Sequence, residues 1–284
     1  MIPVAFNYLR PSTVEDAIAA LSDAGDEGKV LAGGQSLLPV LRLRLAAPTV
    51  LVDLNGMAQL RGVRDDGDAI VVGAMTTHDE VSSSPLVLEH APLLAQAAQT
   101  VGDRQVRHRG TLGGSLAHAD PGADLPTVAL ALDATYVLAG PNGRRTVTAK
   151  EFAVDLFTTA LEPNEVLVEV RVPKLPGWGA HYEKFHRTAQ AWSIVAVAAT
   201  VQRSNGGIAS ARVALTNMGP TSVRATQLEE ALAGCAANAE AIAAACAVAD
   251  QGAAPTDDLT ASADYRRHLV RVLAARAVQA AAGV

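Results

Sequence analysis

The sequence predicts a mixed α+β fold in two domains. Three observations carry that reading: helix-period and strand-period runs alternate over the first 177 residues, the prolines Pro173 and Pro176 close that stretch, and three β-type runs followed by helices fill the remainder. At 284 residues the chain is also longer than one hydrophobic core usually organises.

Taken in order, Ser12 and Glu15 form a capping-box pattern ahead of Val14, Ala17, Ile18 and Leu21, predicting a helix over residues 13 to 23. Lys29-Val30-Leu31-Ala32 is a short β-type run that stops at Gly33-Gly34, and Leu37 to Leu45 fits an apolar helix. Val50–Val52 and Ile70–Val72 read as strands, and Thr77 with Glu80 makes a second capping box. Residues 86 to 101 read as one helix and residues 102 to 110 as an arginine-rich loop. Val166, Val168, Val170 and Val172 alternate with Leu167, Glu169 and Arg171, a half-buried strand that the prolines end. Beyond them, residues 180 to 187, 193 to 203 and 208 to 217 read as strands of a small sheet. At least two helices follow, the last with Tyr265, Leu269, Val272 and Leu273 on one face.

Composition excludes several classes. The net charge of −6, with both signs interspersed, offers no stripe that could neutralise a phosphate backbone, so nucleic acid is not expected as a partner. The two cysteines, Cys235 and Cys246, are too few for an iron–sulfur cluster or a four-ligand zinc site and read as small core residues. The start of the chain has no basic region followed by an apolar run, which predicts a cytoplasmic location. Residues 231 to 249 are alanine-rich, but Asn238 and Glu240 at their middle favour a packed helix pair over a membrane span.

Two glycine-pair segments, Ala32-Gly33-Gly34-Gln35-Ser36 and Thr111-Leu112-Gly113-Gly114-Ser115, share one expected design: bare backbone amides beside a small hydroxyl. Glycine lets the backbone approach phosphate oxygens, so such segments suit a pyrophosphate, and the first also feeds a helix N-terminus. Either alone also fits an ordinary turn. Neither the three-glycine dinucleotide fingerprint nor a P-loop occurs, so a nicotinamide site has no support. His118 and Asp120 suggest an acid–base pair, but structural hydrogen bonding is the stronger reading, because nothing in the sequence places a nucleophile beside them.

The opening Phe6-Asn7-Tyr8-Leu9-Arg10-Pro11-Ser12, then AGGQSLLP, TLGGSLAHADPGADLP, YEKFHR at 182 to 187 and LTNMGP at 215 to 220 together resemble the FAD-binding medium subunits of the molybdenum hydroxylase family, in the aerobic carbon monoxide dehydrogenase branch. The resemblance covers essentially the whole chain. It implies a two-lobed FAD-binding domain of the vanillyl-alcohol-oxidase (PCMH) type over residues 1–177, with lobes of about 1–57 and 58–177 and FAD between them, then a C-terminal domain of antiparallel sheet and helices over 178–284. By the same resemblance Ala32, Gly33, Gly34, Gln35 and Ser36 with Thr111, Leu112, Gly113, Gly114 and Ser115 enclose the pyrophosphate, and Lys29 lies at the cofactor's edge. Asp124 corresponds to a carboxylate near the ribityl chain, although a helix cap before Pro126 accounts for it equally well. Leu161 covers the flavin ring, Lys184 stands near its pyrimidine end, and Trp192 lies against the ring near N5. Gln35 departs from relatives with histidine there, which puts any histidine-based tuning in doubt. No catalytic residue beyond the flavin and no metal ligand is expected in this chain. The resemblance implies that the molybdenum cofactor and two [2Fe-2S] clusters belong to a large and a small partner subunit, in a dimer of heterotrimers. The implied acceptor is external, such as a quinone reached through an adapter, and the complex lies in the cytoplasm or at the inner face of the membrane. Medium subunits serving nicotine, purine or aldehyde hydroxylases look much alike, so the substrate stays open. A free-standing flavin oxidoreductase is a further alternative.

Overall fold

The computed structural model describes residues 1–284. Strand β1 (Asn7–Leu9), helix α1 (Val14–Ala24), β2 (Gly28–Leu31), α2 (Leu37–Leu43) and β3 (Val50–Asp53) build a three-stranded parallel sheet in the order β1-β3-β2. α1 buries the expected stripe Val14, Ala17, Ile18 and Leu21. Its cap is Thr13, not Ser12: the Thr13 hydroxyl accepts from the Asp16 N–H at 3.1 Å, because Thr13 is the extended residue immediately before the first helical turn.

A second sheet, antiparallel throughout, has the order β4-β5-β10-β6-β7. Its first hairpin is β4 (Val63–Asp66) and β5 (Ala69–Gly73). Six helices follow: α3 (His78–Ser83), α4 (Pro85–His90), α5 (Pro92–Thr100), α6 (Arg104–Arg107), α7 (Leu112–His118) and α8 (Asp124–Ala131). The chain returns through the hairpin β6 (Thr135–Gly140) and β7 (Gly143–Thr148), the short α9 (Ala149–Phe152), the small pair β8 (Ala153–Asp155) and β9 (Thr158–Thr159), and the central strand β10 (Val166–Pro173). The Thr77 capping box forms as expected, with Glu80 closing it. The single helix expected over 86–101 is two. Pro92 has no N–H to donate and drives Ala91 out of the helical region (φ −141°, ψ 55°), so α4 and α5 meet at a break. The expected loop at 102–110 contains α6, capped by the Asp103 carboxylate accepting from the Val106 N–H. One core cluster joins α1 to the inner strands of this sheet through Ala139, Val166 and Val168.

The third sheet, β11 (Trp178–Phe185), β12 (Val195–Ser204), β13 (Gly207–Thr216) and β14 (Val223–Arg224), is an antiparallel meander. The valine and alanine alternation of β12 explains its place. Ala196 and Ala198, small enough for close approach, join the core shared with α5 and α8, while Val195, Val197 and Val201 join the core of the C-terminal helices. Those helices are α10 (Thr226–Leu232), α11 (Ala239–Ala245) and α12 (Ala263–Ala282). Asn238, read from sequence as a polar residue mid-stretch, is the cap of α11, accepting from the Ala241 N–H at 2.9 Å. The expected face of α12 is corrected. Leu269 and Leu273 are buried, but Tyr265 and Val272 are exposed. The inward stripe is Arg266, Leu269, Val270, Leu273, Ala274, Ala277, Val278 and Ala281, displaced because a buried arginine begins it. No helix is long and apolar enough to cross a membrane. Cys246 is buried and Cys235 half-buried, both as free thiols.

Candidate cofactor site

β2 delivers the chain to Ala32, where it turns through Gly34 at a positive φ of 77° before entering α2. The backbone N–H groups of Ala32, Gly33, Gly34, Gln35, Ser36 and Leu37 donate to no acceptor in the chain, and Ser36 makes no side-chain cap. The carbonyls of Ala32 and Gly34, by contrast, are occupied. Asn55 Nδ2 donates to the Ala32 oxygen at 2.8 Å, and the Leu38 N–H to that of Gly34 at 3.0 Å. Asn55 is itself held by Asp53, which accepts its backbone N–H at 2.9 Å and its amide at 2.6 Å and also takes a hydrogen bond from the Tyr8 hydroxyl. Burial raises the Asp53 carboxyl, but the donors Tyr8 and Asn55 and the nearby Arg10 outweigh it and hold the group below its ordinary range. A row of unspent amides is the donor set that an anion requires.

The second segment differs from the first, which corrects the expectation of a shared design. Thr111 caps α7, accepting the Gly114 N–H at 3.1 Å, while the Leu112 and Gly113 N–H groups donate to Thr76 and Ala74 and that of Ser115 to Thr111. These amides are spent because the start of α7 docks on the segment after β5. Its glycines serve proximity instead. A Cβ on Gly113 would stand 2.6 Å from the Ala74 Cβ, and one on Gly114 would stand 3.4 Å from the Ala32 Cβ. The fold therefore brings the two segments, 79 positions apart between Ala32 and Thr111, to face each other.

The remaining expected residues fall into two groups. Lys29 is exposed on β2, Gln35 is exposed and bends back to its own loop at the Gly33 oxygen (3.4 Å), and Leu161 is half-buried against the central core. Asp124 and Lys184, however, lie at the junction between α8 and β11. Their side chains are each 5% exposed and pair at 2.8 Å. Asp124 is not a helix cap, since α8 has no side-chain cap. Its Oδ1 accepts from the Tyr182 hydroxyl at 2.6 Å and from Ser193 Oγ at 2.8 Å, and Lys184 also donates to the Thr100 carbonyl at 3.2 Å. Lys184 is thus a buried partner rather than a solvated strand lysine. Burial, and then the Asp124 charge, keep the Tyr182 phenol protonated well beyond the ordinary range. Trp192, one residue before Ser193, is 58% exposed.

His118 and Asp120 do not pair. The Asp120 carboxylate accepts the Gly122 N–H at 2.8 Å, and His118 packs against Phe157 with ring centroids 5.1 Å apart and planes tilted by 43°. Burial lowers the His118 imidazole against the opposing charge of Asp120, with Lys29 adding to the depression. Sequence reasoning missed Asn55, Tyr182, Ser193 and His78. Only Asn55 left a signal: a residue able to bridge turns, placed directly after a strand as Asp53-Leu54-Asn55. His78 is buried beside Gly110 with its Nδ1 unpartnered, and burial with the Arg107 charge pushes it down to about 4.

Two facing glycine segments, one of them a row of free amides, form a site suited to the phosphates of a dinucleotide cofactor, and the comparisons with known proteins give the class: an FAD-binding subunit of the molybdenum hydroxylase family. The chain belongs to the family described as "FAD binding domain in molybdopterin dehydrogenase", matched over residues 4–175, with the "CO dehydrogenase flavoprotein C-terminal domain" matched over residues 180–281. It is 43% identical to the carbon monoxide dehydrogenase medium chain of Hydrogenophaga pseudoflava, over 99% of this chain and 98% of that one. A solved structure of the carbon monoxide dehydrogenase of that organism superposes with a TM-score of 0.96 at 45% identity, covering 99% of this chain and 98% of the other. The 6-hydroxypseudooxynicotine dehydrogenase complex subunit alpha of Paenarthrobacter nicotinovorans is 38% identical over 97% of this chain and 94% of its own length.

Proposed function

We propose that this chain is the FAD subunit of a complex that oxidises carbon monoxide to carbon dioxide, in which a large subunit carries the molybdenum cofactor and a small subunit two [2Fe-2S] clusters, assembled as a dimer of heterotrimers. The observation that supports carbon monoxide is the 43% identity to a carbon monoxide dehydrogenase medium chain over nearly the full length of both. Bound FAD supplies the exchange between clusters that carry electrons singly and an acceptor that takes them in pairs. Everything else falls to this chain's residues. The amides of Ala32 to Ser36 bind the pyrophosphate, with Thr111, Leu112, Gly113, Gly114 and Ser115 forming the opposite wall and Lys29 at the edge. Asp124 and Lys184 border the ribityl chain and pyrimidine end. A carboxylate has about four acceptor sites and an ammonium three donors, so with three and two of these filled, each keeps one position for the cofactor. Leu161 and Trp192 shield the ring from water. The chain divides at residues 177 and 178 into a cofactor-binding unit, with lobes of about 1–57 and 58–177, and a C-terminal unit. The complex works in the cytoplasm or at the inner membrane face and delivers electrons to a quinone through an adapter.

A second reading, the medium subunit of an organic-substrate hydroxylase, is favoured by the 38% identity to the P. nicotinovorans subunit. Purification from the native host with a tag on this chain tests both. Two co-purifying subunits, molybdenum, iron, FAD and CO-dependent dye reduction establish the first. The same complex without response to CO moves the substrate to the second. A lone, colourless chain overturns both.

A further inference from the structure

Residues 186–194 join β11 to β12, and of these Arg187 to Gln190 and Trp192 are exposed. Its bulkiest side chain, the Trp192 indole, is 58% exposed, yet the chain on both sides is fastened across the junction between the cofactor-binding part and the C-terminal sheet. On one side, Gln190 Nε2 donates to Asp103 Oδ2 at 2.9 Å, the carboxylate whose other oxygen caps α6. On the other, Ser193 is 2% exposed and its hydroxyl donates to Asp124 Oδ1 at 2.8 Å. Asn217 adds a third tie. Its backbone N–H donates to the Pro121 carbonyl at 2.8 Å and its side chain to the Ser193 carbonyl at 2.9 Å, in a left-handed conformation (φ 62°) that asparagine tolerates better than most residues. Arg266, 1% exposed, donates to the next carbonyl, that of Ile194.

A large aromatic side chain left half in solvent ordinarily rests on a mobile loop. Here the chain around it is held by the Gln190 side chain at the surface and by the buried Ser193 hydroxyl and the Ser193 and Ile194 carbonyls, and two of the acceptors are carboxylates of the cofactor-binding part. Hydrogen bonds to charged acceptors are the stronger kind, and a buried one is costly to break. Ties on each side leave the intervening residues few backbone conformations to lose or gain.

We propose that Asp124 and Asp103 are positioning residues: acting through Ser193 and Gln190, they hold the stretch of chain that carries Trp192 in one place beside Gly122 and so set how closely an electron acceptor approaches the flavin. This rests on the flavoprotein reading above and adds to it a second task for Asp124, distinct from any contact of its remaining acceptor site with the cofactor. Ser193 carries that task because its hydroxyl has a single proton and gives it to Asp124.

The test uses the purified complex carrying Ser193→Ala, Gln190→Ala or both, each made also in a Trp192→Phe background so that the contribution of Trp192 to the fluorescence is obtained by difference. Hydrogen exchange, collisional quenching of Trp192 fluorescence, flavin content and dye-acceptor kinetics are read together. Loss of either tie should raise exchange of the Ala191 and Ile194 amides, which donate to Thr188 and Phe185, about tenfold, the opening expected from one charged hydrogen bond. Quenching of Trp192 should rise in parallel and KM for the dye should shift, with flavin content unchanged and the rest of β11 and β12 still protected. Wild-type exchange and quenching in the double variant overturns the proposal. So does a general loosening of the C-terminal sheet, or a loss of flavin that parallels the loss of the tie. An absence of flavin in the unaltered complex would instead sink the flavoprotein reading, and the exchange result would still decide whether the segment is clasped.

Discussion

Gly33 lies so close to the backbone of Arg109 that a Cβ added to it would overlap the Arg109 carbonyl oxygen and stand 2.7 Å from the Gly110 Cα. The obstruction is backbone, which cannot swing aside. Gly33→Ala should therefore push the first segment off the second, lowering both the melting temperature and the flavin-to-protein absorbance ratio. Gly114→Ala meets only the Thr111 hydroxyl at 2.8 Å and the Ala32 Cβ at 3.4 Å and should retain part of the flavin, whereas Gly114→Asp, which adds a carboxylate beside the expected pyrophosphate, should retain none. Full flavin content in the aspartate variant would show that the segment is misassigned.

Asn55 offers a subtler handle, because it touches the first segment only through the Ala32 carbonyl. Asn55→Ala leaves that oxygen without its donor and frees the loop to rotate. A penalty of about 1–2 kcal/mol follows, equivalent to roughly a tenfold rise in the Kd for FAD. Titration of stripped protein with FAD measures it. An unchanged Kd would mean that the amide row is held without Asn55.

The Asp124–Lys184 pair predicts a strong asymmetry between single and double replacement. Lys184→Met leaves a carboxylate 5% exposed without its cation and should cost about 3–5 kcal/mol, while Lys184→Met combined with Asp124→Asn should cost less than the sum of the two singles. Denaturant unfolding followed by tryptophan fluorescence reads both. Additive losses would show that the two groups do not act as a pair.

Acid sensitivity follows from His78. Its imidazole titrates near 6.5 when the chain is unfolded and at about 4 when folded, so between these values the unfolded state binds more protons and stability rises with pH. The contribution is fully present above about pH 6.5 and is lost as pH falls toward 4, amounting to ~3 kcal/mol. Asp258, which hydrogen bonds from Thr260 and Ala261 and the Arg266 charge hold at about 2 against its burial, adds its own loss only below the ordinary carboxylate range. Melting temperatures from pH 7 to 4 should show a slope that His78→Gln flattens. A slope that survives in that variant assigns it to other groups.

Local chemistry was readable from the sequence and distant pairing was not. The Thr77 and Glu80 box, three of the four strands of the C-terminal sheet and the two glycine segments each announce themselves within a few residues. Pro92 marks the break between α4 and α5 just as locally, because a residue without an N–H outweighs the apolar pattern that runs across it. The different roles of the glycine segments could not be foreseen, because the carbonyls that take up the second segment's amides belong to Ala74 and Thr76, in a different part of the chain. The burial of Asp124 was hidden likewise. Its partners Tyr182, Lys184 and Ser193 lie 58 to 69 positions downstream. The buried Arg266 displaced the expected face of α12 because a pattern of apolar residues gives arginine no inward place.

Strand β10 is the last strand of its sheet in sequence and the middle one in space, flanked by β5 and β6. Until residue 173 has been synthesised, the hairpins β4–β5 and β6–β7 each present a bare inner edge, and α1 lacks Val166 and Val168 to pack against. The nascent chain therefore passes through a period in which its order of emergence leaves a slot open. A short peptide of the β10 sequence supplied during translation would compete for that slot, making the late strand a point at which biogenesis can be arrested without touching the finished protein.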